Sequence, residues 1–324
     1  MKSRRPLLSL ISVAALGAAG VLAAATPAFA QAGATLRIVV PYPPGGGSDR
    51  AARILAEALQ PRLGTPVVVE NITGVGGRLA MRQLAGQPDT NLLVLANPAL
   101  MVVAPLVFKA NGYDPERDYQ PVSQISNYEF AAAVGPAVPV RELSHLMAWM
   151  KANPEKANLG VPATGSLPHF FALMWAGAAK AKVEVVGYRG SAPLSTDLIG
   201  GHVPVAVDSL ETLLPLHEAG KLRILATSGP QRAVPSIPNF KQAGMDFTAM
   251  GWNVLYAKAG MPAATVERLS SEVAAIMKRK DVRERFLQAK ADPISADLAA
   301  TVRMLDAFKA QWVPVVKQAG LQFE

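Results

Sequence analysis

The chain has 324 residues, half of them apolar, with no cysteine and a formal charge of +8. The absence of cysteine excludes disulfides, thiolate metal sites and a cysteine nucleophile, and the length allows a large core divided into two domains. The basic residues are dispersed, with no run interleaved with aromatics, so the charge suits small anions and gives nucleic-acid binding no support.

Residues 1–30 read as an export signal. Lys2, Arg4 and Arg5 precede an apolar stretch from Leu7 to Leu22, and Ala28-Phe29-Ala30 is a small-x-small cleavage site. Cleavage after Ala30 removes the three basic residues and takes the formal charge from +8 to +5. No later segment is long and apolar enough to span a bilayer.

From there strands and helices alternate. The strand at 36–40, LRIVV, runs into Pro41-Tyr42-Pro43-Pro44-Gly45-Gly46-Gly47-Ser48-Asp49, which opens onto a helix at 48–62. Glycines leave the backbone N–H groups uncovered, and the helix start adds unpaired donors and the positive dipole end, so this loop can hold an anion. A strand at 66–70 leads to a second glycine turn, Asn71 to Gly77, and a helix at 76–85. Either turn alone reads equally as a tight strand-to-helix connection; parallel strands would bring both to one rim. A strand at 92–96 and a helix at 98–108 follow, then a long extended run at 121–134 with no helix in it.

Beyond a helix at 141–152 and a strand at 157–161 comes Gly160 to Ser166, where Thr164, Gly165 and Ser166 meet the start of a helix at 167–179. These three residues are either a second anion-binding element or a plain N-cap. The strand at 183–187 ends at Tyr188-Arg189-Gly190-Ser191, which opens a helix at 192–199, and the strand at 203–208 ends at Asp208. Asp208 either receives polar ligand groups or caps the helix at 211–219. After a strand at 222–227, a second extended run at 247–257 precedes a helical C-terminus. Strand and helix in alternation predict an α/β protein with mostly parallel sheets. The two extended runs read as crossings between lobes. They divide the chain into a first lobe of 31–128 plus 252–324 and a second of 129–251, with a cleft between them.

Catalytic patterns are missing. Gly46-Gly47-Ser48-Asp49-Arg50 ends in Arg where a nucleophile elbow needs Gly, and the four histidines show no metal-binding spacing. Neither glycine turn has the spacing or the Lys of a nucleotide loop. We therefore expect no metal, no cofactor and no enzyme. His169 either faces the cleft or is a hydrogen-bonded structural histidine. Tyr42 reads as a pocket wall, Trp252 as core or hinge packing, and Glu129 as either a cleft or a solvent-facing residue.

The ordered blocks PYPPGGGSDRAAR, ENITGVGG, ATGSLPH, YRGSAPLSTDLIGGHV, GKLRILATSGPQR and the closing Trp312-x-Pro-Val-Val-Lys-x-Ala-Gly320 together resemble the Bug family. These are the periplasmic solute receptors of tripartite tricarboxylate transporters. The resemblance covers essentially the whole chain after residue 30. It implies a two-lobed Venus-flytrap periplasmic binding protein, each lobe a mostly parallel sheet flanked by helices. Its expected cargo is a small organic carboxylate or amino acid, and its expected partners are two integral-membrane subunits, with the receptor itself a monomer. Carried over position by position, the ligand contacts are Tyr42, Pro43, Pro44, Gly45, Gly46 and Ser48 on one side. Thr164, Gly165, Ser166, Tyr188 and Asp208 face them, while Asp49 fixes the helix start. The chain departs from the family after the Asn of its third strand, where Pro98 and Ala99 follow Asn97. Two other classes remain open: a ligand-sensing adaptor for signalling, and a secreted hydrolase.

Overall fold

The computed structural model describes residues 35–289 and 291–324, so the export signal read over residues 1–30 lies outside the described residues. Strand β1 (Leu36–Val40) is buried along most of its length, and its apolar run forms the centre of a parallel group. It pairs on one side with β2 (Val67–Asn71) and on the other with β3 (Leu92–Ala96). Two helices, α1 (Gly47–Leu63) and α2 (Arg78–Ala85), make the crossovers that parallel pairing requires. Helix α3 (Ala104–Val107) is entered through a wide π turn at Ala99–Val103 that precedes Pro105.

Helix α4 (Pro115–Asp118) is capped by Asp114, whose side chain accepts from the N–H groups of Glu116 and Arg117. It leads into β4 (Tyr119–Val134), the extended run expected from the sequence. The second extended run is β9 (Met250–Lys258), and the two pair antiparallel from Tyr119↔Lys258 to Glu129↔Met250. At Phe130 β4 leaves β9 and takes new partners, β7 (Val205–Ser209) and β8 (Arg223–Thr227), both antiparallel. A parallel group, β7 with β5 (Asn158–Val161) and β5 with β6 (Glu184–Gly187), completes that side. Its helices are α5 (Leu143–Ala152), α6 (Leu167–Ala178), α7 (Ser191–Gly200) and α8 (Leu210–Glu218).

Each wing thus holds the parallel group expected from the sequence, and the crossing strands add an antiparallel centre. Direction explains this. The chain leaves the first wing along β4 and returns along β9, so two strands that cross between the same wings must run opposite ways.

The C-terminal segment comprises α9 (Ala263–Met277), α10 (Lys280–Gln288), the two-residue β10 (Asp292–Pro293) paired with β4, and α11 (Leu298–Gln318). Helix α11 packs where β4 changes partners. Its Trp312 ring lies 6.0 Å from Phe130, and its Phe308 ring 5.7 Å from Trp252 on β9. Trp252 is thus core packing, one of the two readings left open by the sequence.

Candidate functional site

Both glycine turns of the first wing fold against each other. Gly77 has a left-handed φ of +93°, and a Cβ there would lie 3.0 Å from Pro41 Cβ, so only glycine allows this approach. The Asn71 amide reaches across to donate to Tyr42 O and to Asp49 Oδ1, both at 3.0 Å. Asp49 Oδ2 accepts from the Gly45 N–H at 2.8 Å and from Arg53 Nε at 3.0 Å. Burial opposes ionisation of Asp49, but the bonds from Arg53, Gly45 and Asn71 outweigh it and hold the carboxyl below its ordinary value. Asp49 therefore ties the loop to the helix start.

In the second wing, Ser166 caps α6 and Gly165 turns through a φ of +76°. The Gly165 N–H donates to His169 Nδ1 at 2.9 Å, which requires that nitrogen to be unprotonated. Burial pushes the His169 imidazole below its ordinary value and so favours that state. His169 is the hydrogen-bonded structural histidine, and its role is to hold the turn. Thr164 packs over the end of β6, where a Cβ on Gly187 would collide with Thr164 Oγ1.

These two helix starts line one cavity of about 620 Å³. Of the residues expected from the sequence, Tyr42, Gly46, Ser48, Thr164, Gly165, Ser166 and Asp208 line it. Pro43, Pro44 and Gly45 do not: they are exposed on the outer side of the loop and shape it. Tyr188 is also absent from the walls, because its hydroxyl turns to Asp197 Oδ2 at 3.0 Å. From the same strand end it is Ser191 that reaches the cavity.

The hydroxyl of Tyr42 donates to Asn97 Oδ1 at 3.0 Å, and burial raises its ionisation far above the ordinary phenol value. Ser48 donates to Asn253 Oδ1 at 3.0 Å, and Asn253 in turn donates to Ser126 Oγ on β4. Helix α1 is thereby bonded to β9 and linked through Asn253 to β4. Asp208 is 3% exposed; its Oδ1 accepts from the Ser209 N–H at 2.7 Å, while Oδ2 is buried without a partner. Burial pushes this carboxyl up to about 6, against the opposing pull of Ser191 and of the Ser209 N–H. Glu129, left open between cleft and solvent, is neither fully exposed nor in this cavity: Oε2 accepts from the Gly229 N–H at 3.2 Å.

Several polar lining residues escape sequence reasoning, among them Asn97, Asn127, Asn253, Glu211 and Arg78. Asn253 was detectable as the one amide in the otherwise apolar run Gly251 to Ala257, whereas Asn127 sits among other polar residues, Gln124, Ser126 and Glu129, and does not stand out. Glu211 stands in the first turn of α8, its carboxylate so close to Gly47 that a Cβ there would lie 2.6 Å from Oε2. Burial raises the Glu211 carboxyl, Arg50 opposes that shift, and the nearby Asp208 adds to it. Among the described residues there is no cluster of three metal-ligating side chains, and no helix long and apolar enough to cross a membrane.

Two α/β wings joined by crossing strands, with helix starts from both wings around one cavity, define a solute-binding protein. The chain belongs to the tripartite tricarboxylate transporter family receptors, TctC, whose family profile matches residues 51–321. It is similar to Protein BugT of Bordetella pertussis, at 28% identity over 89% of this chain and 90% of that one. Among solved structures it is similar to R. palustris Rpa4515 with adipate, at 29% identity and a TM-score of 0.79 over 89% of this chain and 98% of that one. It is also similar to MatC (Rpa3494) from Rhodopseudomonas palustris with bound malate, at 25% identity and a TM-score of 0.73, covering 87% and 98%. The family and fold are those of solute-binding receptors.

Proposed function

We propose that the protein captures a small carboxylate in the cavity between its wings and delivers it, from the periplasm, to the membrane subunits of a tripartite transporter. The observation that carries this reading is that the starts of α1 and α6, from opposite wings, line the same cavity. Gly46, Ser48, Thr164 and Ser166 are assigned to one ligand carboxylate, held by backbone N–H groups at the positive helix ends and by the Thr164 and Ser166 hydroxyls, while Gly165, whose N–H is committed to His169, shapes the turn. Four or five convergent donors, each contributing about 1.5–3 kcal/mol when the acceptor is charged, suffice for micromolar binding after ordering costs. The adipate and malate found with the two related structures are carboxylates of the right class.

Closure is assigned to the crossing strands near 128 and 252, next to the point where β4 exchanges β9 for β7 and β8. The lobes would then be 31–128 with 252–324, and 129–251. A receptor role without catalysis is supported by the family and by hydroxyls and amides already engaged with one another. Gly46→Val tests the anchor. Gly46 has an ordinary φ of −71° and its Cβ direction meets only Pro43 O at 3.6 Å, so the fold accepts the change. The expected result is loss of carboxylate binding by calorimetry with the unfolding transition unchanged; unaltered affinity would sink the anchor.

A further inference from the structure

One side chain in the cavity is unexplained by a single-carboxylate site. Arg78 is the first residue of α2, placed at the cavity wall by the tight approach of Gly77 to Pro41. It is 7% exposed, and its Nε and Nη1 are buried without a hydrogen-bond partner. The guanidinium lies flat on the Phe108 ring, 3.2 Å from its centroid, so one face is covered while its edge carries the unused donors. Phe108 is itself backed by Phe323, with ring centroids 5.2 Å apart. This stack fixes the plane of the fork.

Burying an arginine without a counter-charge is costly, and the usual remedy is a carboxylate neighbour. Here burial disfavours the charged form, the nearby Arg82 adds like-charge repulsion, and only Tyr113 acts in the opposite sense. A planar fork with fixed orientation matches the two oxygens of a carboxylate. The same cavity wall includes Leu100, Val103 and Ala104, which suit methylene or ring carbons.

We propose that Arg78 receives a second carboxylate, so that the protein selects dicarboxylates with a short apolar spacer over the matching monocarboxylates. The proposal rests on the carboxylate-binding reading above, which assigns the first carboxylate to the helix starts. An arginine kept only to pack against Phe108 would leave the two ligand classes equal.

The test is calorimetry of the purified protein with linear α,ω-diacids of four to eight carbons and the monoacids of equal length. The wild-type chain should bind at least one diacid roughly ten- to a hundredfold more tightly than its monoacid. Arg78→Met should abolish that ratio while leaving monoacid affinity in place. Because it removes a buried unpaired charge, its unfolding temperature should hold or rise. Arg78→Lys keeps the charge without the fork, should retain part of the ratio, and serves if the Met variant does not fold. Equal binding of diacids and monoacids by the wild type, or a ratio untouched in either folded variant, overturns the role of Arg78 alone. Binding of neither series overturns the carboxylate reading and this proposal with it.

Discussion

Replacing Asp49 with Ala should cost this protein both stability and ligand binding. Asp49 is 2% exposed and accepts from the Gly45 N–H, the Asn71 amide and Arg53, all within 3.0 Å. Bonds to a charged acceptor contribute about 1.5–3 kcal/mol each, and truncation leaves the Gly45 and Asn71 donors without their acceptor. The Arg53 side chain is 52% exposed, so its share is screened to about 0.2–1 kcal/mol. Allowing for non-additivity among contacting groups, Asp49→Ala should lower unfolding free energy by about 3–5 kcal/mol, and Arg53→Met by no more than about 1 kcal/mol. Urea unfolding at neutral pH measures both. The Asp49 carboxyl is held below its ordinary value, so its contribution is complete above ~4, the unfolded-state value, and is lost as pH falls through the folded one. The gap between wild type and variant must therefore narrow in acid. A loss smaller than about 1 kcal/mol at neutral pH, with carboxylate affinity intact, would refute the claim that Asp49 builds the loop.

Two further outcomes test the opposite wing. Gly47→Ala places a Cβ 2.6 Å from Glu211 Oε2, so the Glu211 carboxylate must swing aside within the cavity, which should weaken carboxylate binding by up to about tenfold, or about 1.4 kcal/mol. Adding Glu211→Ala should restore the affinity; a defect indifferent to the second change means that the contact is not its cause. Asp208, whose carboxyl is raised to about 6, binds protons more readily folded than unfolded, so its charge destabilises the fold above that pH and the cost disappears as pH falls. Asp208→Asn should therefore gain up to about 3 kcal/mol at pH ~8 and almost nothing near pH ~4, by denaturant unfolding at both. A gain that does not change with pH excludes the buried charge as its source.

What the sequence announces here is what the backbone does alone. The run LRIVV between a polar segment and a glycine loop fixes β1 at its observed bounds, and GSDRAARILAEAL carries the helical period that buries Ala51, Ala52, Leu55 and Leu59. Turns that need a left-handed or uncovered residue declare themselves by glycine, which is why Gly46, Ser48 and Thr164 to Ser166 are found at the cavity. Side chains are harder, because their direction depends on partners distant in the chain. Tyr188 is drawn away from the cavity by Asp197, nine residues on, while Glu211 is brought to Gly47 by the docking of opposite wings. The antiparallel centre was hidden for a related reason. Each crossing strand looks alike in isolation, and only their pairing over Tyr119–Glu129 reveals the direction.

Arg78 and Asp208 show how such hidden residues identify a binding site. Each is more than nine-tenths buried, each leaves side-chain polar atoms unpaired, and both face one cavity. A fold selected for stability alone would remove both, since each unpaired buried group costs about 1–3 kcal/mol or more when charged. They carry opposite charges yet make no ion pair with each other, so the fold keeps them apart instead of letting them cancel. Such an arrangement gives the cavity a direction: a group that accepts is favoured at Arg78, and one that donates, such as a hydroxyl or a protonated acid, at Asp208. The helix starts alone would accept any small anion in any orientation. Under the carboxylate reading proposed above, selectivity is therefore assigned to the side chains that the backbone motifs do not disclose.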